Sequence, residues 1–297
     1  MTNLITCSNE DLEIGVLPEV GGALAFFRRK KGTEKTDIMR PTSPTNLNKK
    51  DVNGVAMFPM LPYTNRIRDG KFVYWGITRY VPKNQVGVND PIHGDGWKSK
   101  WTVEEQTPTS VRLSLTHKKE DKGFPFAYKA VLTYELKGKE LVVTTELTNQ
   151  GGLPMPCGFG FHPFFQKTPH VELEFSAKSI WYHENDPITR PYPVPEGWSF
   201  EEKKRLGDAI FDTCFGSFDG KATIWWPRKD LSLTIEADDM FGHAILYAPY
   251  HKGFFCVEPC SMCPDAFNMA SNGVVGTGIK SVGPNESITG VVSFKVS

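Results

Sequence analysis

Neither sign of charge is in excess in this chain of 297 residues: 34 Lys and Arg stand against 34 Asp and Glu, for a formal net charge of +0. Nucleic acids and acidic membrane surfaces are recognised through a basic field, and this composition offers none. Long apolar runs are also missing. No eighteen apolar residues stand together, so no membrane-spanning helix is expected, and residues 1–11 lack the basic-then-apolar order of a secretory signal. A cytoplasmic location is the expectation. Cysteine is sparse: Cys7, Cys157, Cys214, Cys256, Cys260 and Cys263 are too few in so long a chain for a disulfide framework, and they read as buried small hydrophobes. Cys260 and Cys263 have C-x-x-C spacing, but no second pair completes a zinc site, so no metal is expected. Helical periodicity is the last scarcity. Its best case is residues 199–206, where Ser199 and Glu202 have capping-box spacing and Gly207 could end the turn.

What fills the sequence instead is alternation of apolar and polar residues. Val111-Arg-Leu113-Ser-Leu115, Ala130-Val-Leu132-Thr-Tyr134-Glu-Leu136 and Leu141-Val-Val143-Thr-Thr145-Glu-Leu147 each place apolar residues on one face of an extended segment. Lys137-Gly138-Lys139-Glu140 joins the last two as a hairpin turn. The pattern returns at residues 222–226, 231–235 and 288–294. With 27 Gly and 22 Pro as punctuation, the expected fold class is all-β: a large, mainly antiparallel β-sandwich with long polar loops, in one domain spanning 1–297. Pro191, Pro193 and Pro195 predict an extended connection across residues 186–197.

Four segments carry candidate chemistry. Pro91-Ile92-His93-Gly94-Asp95-Gly96-Trp97 combines an imidazole, a carboxylate between glycines and an indole, a mixture suited to the hydroxyls and C–H faces of a sugar ring. The others are Phe58-Pro-Met-Leu-Pro-Tyr-Thr-Asn65-Arg66-Ile-Arg68-Asp-Gly70, Gly158-Phe-Gly-Phe-His162-Pro-Phe-Phe165, and Cys256-Val-Glu258-Pro-Cys-Ser-Met-Cys-Pro-Asp265-Ala-Phe-Asn268. In this order and at these separations they resemble the aldose 1-epimerase (galactose mutarotase) family.

The resemblance implies a galactose mutarotase-like supersandwich that works without a cofactor and interconverts the α and β anomers of a free aldose. It implies Glu258 as general base and His162 as general acid. Substrate-binding roles are implied for Arg66, His93 and Asp212, with Asn65 and Trp97 alongside. Residue chemistry is compatible with this. A carboxylate is an available base at neutral pH, and an imidazole can be held protonated by a neighbouring anion. Glu258, between a hydrophobic run and Pro259, is expected at a strand end. Trp97 reads equally as a sugar platform or a core anchor, and Asp208 and Asp219 are fallbacks for Asp212. The expected partner is a monosaccharide, bound by a monomer or homodimer.

Three other readings stay open. A hexose-6-phosphate mutarotase would need convergent cations, for which Arg68, Arg79 and Lys83 are candidates. A non-catalytic carbohydrate-binding sandwich would not need an acid facing a base. A glycoside hydrolase would use Asp212 and Glu258 as its two carboxyls.

Overall fold

A computed structural model of the chain describes residues 3–183 and 190–297. Two large antiparallel sheets dominate it. One runs in the order Ile5–Ser8, Leu12–Leu17, Ala23–Lys31, Met57–Met60, Gly160–Pro163, Phe254–Cys260, His243–Ala248, Phe211–Gly216, Ser179–His183, Tyr192–Pro193. The other runs Phe200–Arg205, Glu172–Phe175, Lys221–Trp226, Leu231–Ala237, Ser287–Val296, Glu140–Asn149, Tyr128–Lys137, Ser110–His117, Thr102–Gln106. No helix among the described residues is long and apolar enough to cross a membrane.

The second sheet forms where alternation is cleanest. Leu141, Val143, Thr145 and Leu147 of the Glu140–Asn149 strand are buried while their neighbours are partly exposed. Its hairpin partner pairs with it from Tyr128↔Asn149 to Lys137↔Glu140, around Gly138 at φ 56°. A two-residue turn with a left-handed first residue matches the twist of its strands. Aromatic side chains join the sheets: Phe165 meets Trp226 at 6.2 Å and Phe175 meets Phe215 at 5.0 Å. The Trp226 indole N–H donates to Gln166 O (2.9 Å), and the Tyr134 hydroxyl to Gly22 O (2.9 Å). Each such ring buried contributes roughly 1.5–3 kcal/mol.

Residues 199–206 are not helical. Phe200–Arg205 is an edge strand paired with Glu172–Phe175, and Ser199 Oγ accepts from Glu201 N, not from Glu202. The single apolar residue Phe200 decides this, stacking on Phe175 at 5.1 Å, while the charged run that looked helical faces solvent on an edge. Tertiary burial outweighs a weak local preference here. Of the proline-rich connection, residues 186–189 lie outside the described residues; beyond them Tyr192–Pro193 pairs with Ser179 and Ile180.

The first sheet has two differently used faces. Phe161, Phe215, Leu246, Phe255 and Val257 point into the sandwich. Alternation therefore sends His162, Asp212, Ile245, Tyr247 and Glu258 to the opposite face, under the loops that follow Met57–Met60 and precede Thr102–Gln106.

Candidate active site

On that opposite face lies a cavity of about 320 Å³. Glu258, His162, Arg66, His93, Asp212, Asn65 and Trp97 all line it, so residues up to 193 positions apart in the chain meet in one cleft. Its centre is an acid/base contact: His162 Nε2 is 3.2 Å from Glu258 Oε1. Glu258 sits inside the Phe254–Cys260 strand, not at its end, and is 2% exposed. It pairs with Ile245, one strand over from Asp212. Asp208 and Asp219 do not line the cavity.

Burial sets the electrostatics. It pushes the Glu258 carboxyl well above the usual carboxylate range, helped by the Asp212 charge. It pushes the His162 imidazole down to about 3, with the Arg40 charge adding to the effect. The neighbouring anion expected to hold the imidazole protonated is in contact, yet desolvation runs the other way and favours a neutral pair with the proton on the carboxyl. His93 is also driven well below its usual value, by burial first, then by His162, Arg66 and Lys98.

Loop geometry presents the remaining polar groups. His93 has φ 61° and its N–H donates to Asn65 O at 2.7 Å, while Asn65 has φ 52°. Both loop residues sit in the left-handed region because an antiparallel bridge between Arg66 and Ile92 folds the two loops onto each other. Asn65 Oδ1 accepts from Arg66 N (2.9 Å) and Arg66 Nε (3.2 Å), which steers the guanidinium along the wall. Gly94 follows at φ +70°, and a Cβ there would come within 2.0 Å of Leu61 O. Gly94→Ala is therefore expected to cost on the order of 2–4 kcal/mol, combining left-handed strain with backbone overlap. A lowered urea midpoint checks this; an unchanged midpoint would mean the loop has another way to pack.

Trp97 is a core anchor. It is 1% exposed, Phe58 lies 5.0 Å from it, Lys98 Nζ stands over its ring at 4.4 Å, and its indole N–H donates to Gly94 O. Of the two readings of Trp97, sugar platform and core anchor, this burial favours the anchor, with the residue still at the cavity wall. The half-buried rings in the cavity are Tyr247 and Phe254. Neither was singled out from sequence, nor were Asn53 and Gln85, which face each other through a Gln85 Nε2 to Asn53 Oδ1 hydrogen bond of 3.2 Å. Plain loop amides carry no sequence signal, whereas Tyr247 could have been found from alternation in its strand.

The three cations considered for a phosphate are elsewhere. Arg68 and Lys83 are exposed and do not line the cavity, and Arg79 lines a different one of about 470 Å³. His162, Cys256 and Glu258 bring one donor atom each within 4.8 Å. Burial and the Glu258 charge push the Cys256 thiol well up. All six cysteines are buried and free, Cys260 and Cys263 included.

Buried histidines give the fold a pH dependence. His243, away from this cavity, is pushed down to about 4 by burial. Because its folded value lies below the unfolded one near ~6.5, the unfolded chain takes up the proton first and stability falls as pH drops between the two. From pH 6 to 4.5 the wild type should lose about 1 kcal/mol per pH unit more than His243→Gln. Urea midpoints at several pH values test it, and parallel pH curves would refute it.

The comparisons with known proteins agree with this architecture. A solved structure from Escherichia coli K12 superposes with a TM-score of 0.87 at 24% identity, covering 100% of this chain and 99% of that one. A galactose mutarotase-like protein from Clostridium acetobutylicum gives a TM-score of 0.84 at 22% identity, covering 100% and 95%. The uncharacterized protein YphB of Escherichia coli K12 is 24% identical over 302 residues, covering 99% of this chain and 98% of its own. The sequence model of the aldose 1-epimerase family matches residues 3–295, and the chain belongs to that family.

Proposed function

We propose that this protein is a mutarotase for a free aldose, with Glu258 as general base and His162 as general acid. The contact of His162 Nε2 with Glu258 Oε1 at 3.2 Å, inside a sugar-sized polar cavity, carries this reading. Glu258 takes the proton of the C1 hydroxyl while His162 Nε2 gives one to the ring oxygen. The bond from C1 to the ring oxygen breaks as the C1 carbonyl forms. After rotation about C1–C2, His162 takes its proton back and Glu258 returns the other as the ring recloses on the opposite face.

The pair holds one proton before and after, so no redox partner is consumed. The form with ionised Glu258 and protonated His162 is the reactive one. Burial makes that carboxylate a stronger base and that imidazolium a stronger acid, which favours both transfers once a hemiacetal lies between them. Arg66, Asn65, His93 and Asp212 are placed to hydrogen-bond hydroxyls, and Tyr247 with Phe254 offers ring surface to C–H faces.

Neutral amides and a single arginine support a neutral sugar over a phosphorylated one. Anomer exchange followed by polarimetry or NMR across a panel of aldoses and glucose 6-phosphate tests both points. Faster catalysed exchange of a free aldose is expected. Exchange confined to the phosphate would replace the substrate class, and no exchange with any member would remove the activity.

A further inference from the structure

The His162 imidazole belongs to a cluster of flat groups. Phe58 lies on it at 4.7 Å between ring centroids, inclined 31°, and Phe164 at 4.5 Å, inclined 26°. The two phenyl rings also touch each other, at 6.0 Å between centroids and 52°, so Phe58, Phe164 and His162 form one aromatic cluster that confines the imidazole. Beyond Phe164 stands Arg40, its guanidinium carbon 3.9 Å from that ring's centroid and 4.8 Å from the Phe254 ring. Arg40 thus touches Phe164, Phe164 touches His162, and Phe58 meets both rings as well as Trp97 at 5.0 Å.

Arg40 is built in. Its backbone N–H donates to Phe164 O at 2.7 Å, which ties it to the residue it stacks on. Its Nη2 donates to Asn53 O (2.7 Å) and Val55 O (2.8 Å), and its buried Nε has no hydrogen-bond partner. Among the described residues no carboxylate forms an ion pair with it, so its charge is held by carbonyl dipoles and ring faces. Asp51 is near enough to act on it through its charge but forms no ion pair with it, so the guanidinium's field is only partly offset. Nothing in the sequence singled out this residue, and it does not line the cavity.

We propose that Arg40 is a positioning residue of the acid/base pair: stacked behind Phe164, it fixes the plane of the His162 imidazole and keeps the pair from taking up a second proton. This rests on the acid/base reading given above. A second proton would leave Glu258 neutral and His162 charged, with no base for the C1 hydroxyl. The other groups facing His162 are Glu258 and Cys256, both from the Phe254–Cys260 strand, and His93 at 5.6 Å. Tyr247 lies at 6.3 Å, and Arg66 and Asp212 complete the wall. Arg66 is the other cation on the cavity side, while Asp212 pulls in the opposite sense through Glu258.

The test compares Arg40→Met and Arg40→Lys with the wild type by two readouts. The first is NMR titration of the His162 ring in the protein without sugar. The second is the pH profile of kcat for anomer exchange. Arg40→Met should move the His162 titration, and the acid limb of kcat, upward by roughly one pH unit, as expected for losing a unit charge one ring away in a partly screened interior. Arg40→Lys should restore the pH positions while kcat stays below wild type, since an ammonium lacks the planar stack. A lowered kcat with an unmoved pH profile and titration in Arg40→Met would overturn the proposal. Should Arg40→Met not fold, the wild-type titration decides: His162 must stay neutral down to at least about pH 5, and an imidazolium at pH 6 would overturn it. The titration needs no turnover, so failure of the mutarotase reading shows as absent exchange while the ring still shifts.

Discussion

Glu258→Gln should lower kcat for anomer exchange by about 10²–10⁴-fold, the range for loss of a positioned general base. An amide keeps the shape and can still meet His162, but it cannot accept the C1 hydroxyl proton. The fold should be unaffected. Burial already disfavours the Glu258 charge, so exchanging the acid for a neutral isostere removes little native-state stabilisation, and the melting temperature should hold or rise slightly. Exchange within a few-fold of wild type in a folded Glu258→Gln protein would end the assignment of this residue as base. An aryl glycoside release assay run on the same preparations separates hydrolysis by Asp212 and Glu258 from mutarotation.

His162→Ala is expected to lose a comparable factor, about 10²–10⁴-fold, with one added feature. Removing the ring leaves a gap beside Phe58 and Phe164, both of which packed against it. Exogenous imidazole should enter that gap and recover part of the rate, with a saturating dependence on its concentration. The variant should also be less stable by on the order of 2–4 kcal/mol, because a buried ring is lost from packed aromatics. Full activity without imidazole would exclude His162 as the acid. A loss that imidazole cannot rescue, in a protein that melts normally, would point to His162 acting through position alone.

Alternation made the strands legible. Residues 130–147 read as a hairpin because every second side chain is apolar, and the pairing from Tyr128↔Asn149 to Lys137↔Glu140 follows that pattern. The misread element, residues 199–206, has only Phe200 and Leu206 as apolar residues, at either end of a charged run; a local cap was the only signal available, and Phe200 packing on Phe175 overrode it. The candidate site was legible for a different reason. His93, His162 and Glu258 stand in segments whose order and separation resemble the aldose 1-epimerase family, and local residue type by itself left each of them open to a structural role.

Residue order alone was enough for the class of fold, since period-two burial is written into the chain, and the family resemblance of its motifs named seven of the groups at the cavity while missing Tyr247, Phe254, Asn53 and Gln85. It could not say which reading of Trp97 held, that Glu258 lies within its strand, or that Arg40 stacks behind Phe164. Those outcomes depend on contacts between segments that only folding brings together, where register and ring packing choose among side chains that local sequence leaves equivalent. The proton balance between His162 and Glu258 belongs to the same group: desolvation is a property of the closed cavity, and no stretch of the chain carries it alone.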